Sequence, residues 1–155
     1  MRTVDYARDL FRLIQMDSPP VNIDEILKRL NIRLYYEDFS GIDGIALKSP
    51  KLGVIVVNRN LPLVRQRFTI AHELGHLIMP HRGEYYICFP GKYRAMEKNA
   101  NRFAAELLMP EPMMTHLWKK YATNPQFRVE IIAHILQVSK SALFVRLKEL
   151  SLTQK

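Results

Sequence analysis

Hydrophobic residues recur at helical spacing over most of this sequence, while β-branched and aromatic residues concentrate between positions 32 and 58. Three β-rich runs, at 32–39, 44–48 and 53–58, predict a small three-stranded sheet. The fold class expected from this pattern is α+β and mostly helical. The predicted helices cover residues 3–16, 22–30, 62–79, 93–109, 113–121, 126–137 and 140–150.

Proline, glycine and capping residues mark the ends of these elements. Ser18-Pro19-Pro20 ends the first helix, and Pro80 prevents continuation of the helix that starts near Pro62. Asn22 is the expected N-cap of the second helix, with Glu25 in the capping-box position. Residues 81–92 contain two glycines and a proline and are expected to form a loop.

Composition narrows the class of protein. Of the 155 residues, 48% are apolar and 25% are charged, which is ordinary for a folded globular protein. No apolar run is long enough to span a bilayer, and the charged N-terminal segment lacks a secretory signal pattern. The single cysteine, Cys88, fits a reducing compartment. We therefore expect a cytoplasmic protein with no membrane contact; nothing in the sequence predicts an oligomeric state.

The most informative segment is His72-Glu73-Leu74-Gly75-His76. On a helix, positions four residues apart lie on the same face, so both imidazoles can reach one tetrahedral Zn²⁺. Glu73 lies about 100° around the helix from His72, where it can act as a general base. The alternative is that both histidines are ordinary helix residues. Gly75 is costly inside a helix, and it predicts the close approach of another backbone.

A zinc peptidase needs a third protein ligand and an open position for water. The preferred third ligand is Glu97 on the next predicted helix, with Asn101 one turn later as a hydrogen-bond acceptor for a ligand histidine. Zinc is favoured because the donor set mixes histidine and carboxylate. The other candidates for the third ligand are His81, Glu84, Cys88 and Glu106.

Several other residues have open roles. An oxyanion could receive a hydrogen bond from one of Tyr85, Tyr86, Tyr93, His116 and His134, although a packing role is favoured for each of them taken singly. Cys88 is either a redox-sensitive thiol or an inert loop residue. The strand at 53–58 is a candidate edge to which an extended substrate segment could add.

The last two helices resemble a helix-turn-helix. Ile131, Ile132, Ile135 and Leu136 are expected to bury against Leu143, Leu147 and Leu150. Lys140, Arg146 and Lys148 would then face DNA phosphates. The favoured interpretation is that the pair completes the fold or docks the substrate, so DNA is a possible partner but not the favoured one. The formal charge of +8 is compatible with acidic partners but is also explained by solvated helix faces.

Three segments together resemble the ImmA/IrrE family of metallopeptidases: Val54-Ile-Val-Val-Asn58, Arg67-Phe-Thr-Ile-Ala-His-Glu-Leu-Gly-His76, and Glu97-Lys-Asn-Ala-Asn-Arg-Phe-Ala-Ala-Glu-Leu-Leu-Met-Pro110. The resemblance is specific from about Val54 to Pro110 and weaker on either side. It implies a gluzincin-like site in which His72, His76 and Glu97 bind zinc and Glu73 is catalytic. The chain departs from many relatives at Pro80, and it is not expected to carry the sensory domain that some of them have.

The resemblance also implies a substrate. Family members cleave XRE-type helix-turn-helix repressors, often encoded beside them in mobile elements, prophages, stress-response and toxin–antitoxin loci. The sequence thus predicts a zinc metallopeptidase domain at 1–122, a helical segment at 123–155, and a repressor as protein partner. The competing hypotheses are a non-enzymatic regulator that binds DNA or a repressor around a structural zinc, and a zinc hydrolase of small peptides or amides.

Overall fold

The computed structural model describes residues 1–80 and 93–153 in full and the backbone of 86–88. The α+β fold class is confirmed. The strands are β1 (Ile32–Glu37), β2 (Gly44–Lys48), β3 (Gly53–Asn58) and β4 (Tyr86–Cys88). The helices are α1 (Thr3–Leu10), α2 (Ile23–Arg29), α3 (Leu63–Ile78), α4 (Arg94–Leu108), α5 (Glu111–Lys120), α6 (Arg128–Leu136) and α7 (Lys140–Glu149), with a 3-10 turn at Phe11–Leu13.

The sheet has the strand order β1-β3-β2-β4. The three predicted strands are present, and β4 adds a short fourth strand inside the segment predicted to be a loop. β3 is central, since it pairs in parallel with β1 and antiparallel with β2. The prediction that β3 offers a free edge to the substrate is therefore wrong, because both of its hydrogen-bonding sides are occupied by strands.

The predicted caps determine where several helices begin and end. The Asn22 side chain accepts a hydrogen bond from the backbone N–H of Glu25 at 3.0 Å, as expected for an N-cap of α2. Pro62 directly precedes α3, and Pro80 follows its last turn. The first predicted helix is shorter than expected, because its α-helical part ends at Leu10 and a 3-10 turn follows.

Helix α3 lies between the sheet and α4, and its central residues are buried. Gly75 faces Phe103 of α4, and a Cβ atom at position 75 would lie 2.9 Å from the ring atom Cδ1. The expected close approach at Gly75 is thus made by an aromatic side chain rather than by a backbone. This contact holds the side of α3 that carries His72 and His76 against α4.

The two C-terminal helices pack into the same hydrophobic core as α3 and α4 through Ile132, Leu136, Leu143 and Leu147, which are fully buried. Arg146 is only 5% exposed. Its guanidinium donates to the buried carboxylate of Glu106 and to the carbonyl oxygen of Met109. The prediction that Arg146 faces DNA is therefore wrong. The division at 122/123 stays a prediction.

Over the described ranges 1–80, 86–88 and 93–153, no helix combines the length and the apolar character needed to cross a membrane.

Candidate metal and catalytic site

His72 and His76 project from the same face of α3, one turn apart, as their spacing predicts. Their Nε2 atoms lie 3.2 Å from each other, and the ring centroids are 4.9 Å apart. His76 is almost completely buried, whereas the side chain of His72 is partly exposed. The pair therefore presents two ring nitrogens at one point between the protein interior and the surface.

Glu97 reaches this point from the first turn of α4. One carboxylate oxygen lies 3.1 Å from Nε2 of His72, and the other lies 3.1 Å from Nε2 of His76. The three potential ligand atoms all fall within 4.8 Å of one another, a spacing that can hold one metal ion. Within the described part of the chain, the structure thus brings together the three residues predicted from the sequence.

Asn101 lies one helical turn after Glu97 and contacts the far side of the His72 ring. The Nδ1–H group of His72 donates to Oδ1 of Asn101 at 2.8 Å. This hydrogen bond places the ring proton on Nδ1 and leaves the Nε2 lone pair directed toward Glu97 and His76. The acceptor role predicted for Asn101 therefore matches the geometry.

Glu73 is 3% exposed, and its Oε2 atom is buried with no hydrogen-bond partner among the described residues. Burial, followed by the negative charges of Glu97 and Asp43, raises the pKa of Glu73 to about 8. In the absence of a nearby cation, this carboxyl group is therefore mostly protonated at neutral pH. A carboxyl held in this way can accept and release a proton near physiological pH.

The cluster opens into a cavity of about 690 Å³. One part of the lining comes from Asp43, between β1 and β2, and from Gly44 at the start of β2, and other parts come from α3 and α4. A further part comes from α7, at Ala142 and Val145. The site is thus accessible from outside and large enough for a peptide segment.

The position of the β1–β2 segment depends on Asn58, the last residue of β3. Its side-chain amide donates to the carbonyl oxygens of Phe39 and Ile42, both at 3.1 Å, and its backbone N–H donates to Asp43. Gly44 then passes so close to α3 that an added Cβ would lie 3.3 Å from Cγ of Glu73. In the sequence, Gly44 and Asn58 are the first and last residues of predicted strands, and neither has a predicted role in the site; their place at a strand end was the available signal.

Of the other candidate ligands and oxyanion donors, the structure describes Glu106, Tyr93, His116 and His134. Glu106 is not a ligand in this arrangement, because it accepts hydrogen bonds from Arg8 and Arg146. Tyr93, His116 and His134 do not line the cavity that contains the cluster. The remaining candidates, His81, Glu84, Tyr85 and the side chains of Tyr86 and Cys88, lie outside the described residues.

The sequence model of the IrrE N-terminal-like domain, peptidase family M78, matches residues 27–148. The chain belongs to this peptidase family. The match includes every element that contributes to the cluster and cavity, from the β1–β2 segment to α7. The family predicted from the three sequence segments is confirmed.

The chain is also similar to the radiation response metalloprotease IrrE of Deinococcus radiodurans, with 28% identity over 122 aligned residues. The alignment covers 68% of this chain and 37% of the relative. The chain therefore spans little more than a third of the length of that M78 relative.

The donor set of this M78 site fits a zinc ion. Two histidine nitrogens and one carboxylate converge within 4.8 Å, and the buried oxygen of Glu73 without a partner belongs to the adjacent residue of α3. Catalytic zinc sites use three such ligands and leave the fourth position to water or substrate, whereas structural sites are closed by four protein ligands. Among the described residues, only three ligands converge, and they do so at the wall of an open cavity.

Proposed function

We propose that this M78 family member is a zinc-dependent endopeptidase in which His72, His76 and Glu97 bind the metal and Glu73 is the general base. The observation that carries this proposal is the convergence of the three ligand atoms within 4.8 Å at the wall of an accessible cavity. The buried Glu73 carboxyl group on the same helix supplies the residue that a structural metal site would not need.

A zinc ion held by these ligands would polarise the scissile carbonyl group and acidify a water molecule. Glu73 takes a proton from the attacking water and delivers it to the leaving amine. Asn101 holds the His72 ring in the orientation and tautomer that leave Nε2 available. Glu73 is 3% exposed and its Cγ atom packs close to Gly44 at the start of β2, so access of bulk solvent to its carboxyl group is limited.

The proposed substrate is an XRE-type helix-turn-helix repressor encoded near this gene, which the enzyme would cleave in the cytoplasm to relieve repression. The family resemblance supports this choice. The similarity to a radiation response metalloprotease supports a peptidase, and that name specifies no repressor.

The test is to incubate the purified, zinc-loaded protein with the neighbouring repressor and to measure intact masses. Glu73→Gln is the matched variant, because it keeps the shape of the side chain and all three ligands. We expect repressor fragments with the wild type, none with Glu73→Gln, and none with wild type in chelator until zinc is restored. Equal cleavage by Glu73→Gln would disprove the assigned mechanism.

The alternative is a non-enzymatic regulator that binds DNA or a repressor around a structural zinc. Two features count against it. The ligand cluster opens into a cavity of about 690 Å³, and Arg146 is used inside the protein rather than on its surface. A stable complex of zinc-loaded protein and intact repressor, with no fragments over a long incubation, would favour this alternative.

A further inference from the structure

Helix α7 has two faces with different surroundings. Leu143, Arg146 and Leu147 are buried and attach the helix to the core. Ala142 and Val145 lie on another face and line the cavity that contains His72 and Glu73. Val145 is apolar although 58% of its surface is exposed.

The cavity has an apolar part next to the candidate ligands. Val64 and Phe68 of α3 line it, two turns and one turn before His72 respectively. Ala142 and Val145 supply further apolar lining from a distant part of the sequence. A peptide bond placed at the cluster would therefore bring a neighbouring side chain against hydrophobic residues from both helices.

This arrangement differs from what DNA recognition requires. In a helix-turn-helix, the first turns of the second helix contact base edges, and basic residues contact phosphates. Here Ala142 of the first turn of α7 lies in the wall of the ligand cavity, and Arg146 donates to Glu106. Lys140 lies 3.6 Å from the carboxylate of Glu130.

We propose that α7 is a substrate-selecting element, in which Val145 and Ala142, with Val64 and Phe68, bind an apolar side chain adjacent to the scissile bond. The proposal rests on the proposed peptidase function. It assigns the predicted helix-turn-helix pair to recognition of a protein substrate instead of DNA. These four residues line the same cavity as His72 and Glu97, which is the reason for choosing a peptide as the occupant.

Binding can be measured without cleavage by using two fluorescein-labelled peptide hydroxamates, because a hydroxamate chelates zinc directly. The two probes differ only in the residue next to the hydroxamate, which is leucine in one and asparagine, of similar size, in the other. We expect the zinc-loaded wild type to bind the leucine probe at least about tenfold more tightly. This ratio should fall below about threefold in Val145→Asn.

The matched control is Phe144→Asn. Phe144 is 50% exposed on the same helix, next to Val145, but it does not line the cavity. The variant makes the same kind of change in polarity and helix propensity, so the leucine preference should be unchanged. The proposal would be overturned if Val145→Asn and Phe144→Asn had equal ratios of affinity for the leucine and asparagine probes. It would also be overturned if the wild type bound both probes equally well.

A second measurement uses a mixture of peptides with a randomised position on each side of the cut. Ala142→Phe fills part of the apolar surface, so the preferred residue should shift from large to small apolar side chains. An unchanged profile would contradict the role of Ala142.

If no peptide is cut but the hydroxamate preference is lost in Val145→Asn, the peptidase proposal fails and the recognition surface stands. Salt-sensitive DNA binding that Val145→Asn abolishes, with an unchanged hydroxamate preference, would assign α7 to DNA instead.

Discussion

The Oδ1 atom of Asn101 lies 2.8 Å from Nδ1 of His72, so a residue of α4 determines the ring orientation of a candidate metal ligand on α3. Partners of this kind typically contribute roughly ten- to hundredfold to metal affinity. We expect Asn101→Ala to weaken zinc binding by about that factor, as measured by competition with a fluorescent chelator.

The control for this prediction is Asn99→Ala, because Asn99 is an exposed residue of the same helix outside the ligand cluster. Its zinc affinity should match that of the wild type within about twofold. If both alanine variants bind zinc equally well, the hydrogen bond to His72 does not support the metal site.

The raised pKa of Glu73 predicts how the stability of the metal-free protein depends on pH. This pKa is about 8 in the folded state and ordinarily 4.5, so the folded state holds the proton more tightly than the unfolded state. The Glu73 carboxyl group therefore leaves the free energy of unfolding unchanged below about pH 4.5. It lowers this free energy progressively as the pH rises toward 8. Because a tenfold change in proton affinity corresponds to about 1.4 kcal/mol, the free energy of unfolding should fall by roughly 3 to 5 kcal/mol.

Urea unfolding of wild type and Glu73→Gln in chelator, at pH 5, 6.5 and 8, measures this effect. The two proteins differ only at position 73, so the difference between their unfolding free energies reports the effect of the Glu73 carboxyl group. We expect the free energy of unfolding of Glu73→Gln to increase relative to that of the wild type as the pH rises. Parallel curves would mean that Glu73 is not held in its protonated form.

The contact between Gly75 and Phe103 predicts an unusual response to alanine. Alanine favours a helix by about 1 kcal/mol over glycine. At position 75, however, its Cβ would lie 2.9 Å from the Phe103 ring. Since overpacking costs about 1 to 3 kcal/mol, we expect Gly75→Ala to lower the free energy of unfolding despite its helix propensity.

Phe103→Leu supplies the second arm of a double-mutant cycle, because a leucine side chain can rotate away from position 75. Gly75→Ala should cost less in that background than in the wild type. Additive effects of the two substitutions would show that the ring does not restrict position 75.

The buried ion pair between Arg146 and Glu106 predicts that α7 is essential to stability. Removing one partner of such a pair costs about 3 to 5 kcal/mol. Arg8 still donates to Glu106 at 2.8 Å, so we expect Arg146→Met to cost about 3 kcal/mol in urea unfolding. Lys148→Met, an exposed change on the same helix, should be nearly neutral. Similar losses in both variants would contradict the assignment.

The parts of the site that are local in sequence could be predicted, because helix geometry alone places His72 and His76 on one face. Glu97 was predictable from its place on the next amphipathic helix. The parts that depend on contacts distant in sequence could not be predicted. The partner of Arg146 is 40 residues away. Likewise, the approach of Asp43 to Glu73 depends on Asn58.

The same reason explains the differences in the sheet. β4 is three residues long and is defined by pairing with β2, which short-range periodicity does not reveal. The central position of β3 depends on strand order, and a run of apolar residues is compatible with either a central or an edge strand.

The link between Arg146 and Glu106 has a consequence for the order of events during translation. Glu106 lies on the helix that supplies Glu97, and its charge is balanced by Arg8, made early, and by Arg146, made 40 residues later. While residues 140–149 are still inside the ribosome, α4 lacks this second counter-charge and the cavity lacks the wall formed by α7. A nascent chain that already contains His72 and His76 therefore still lacks one wall of the cavity around them and one of the two cations that contact Glu106.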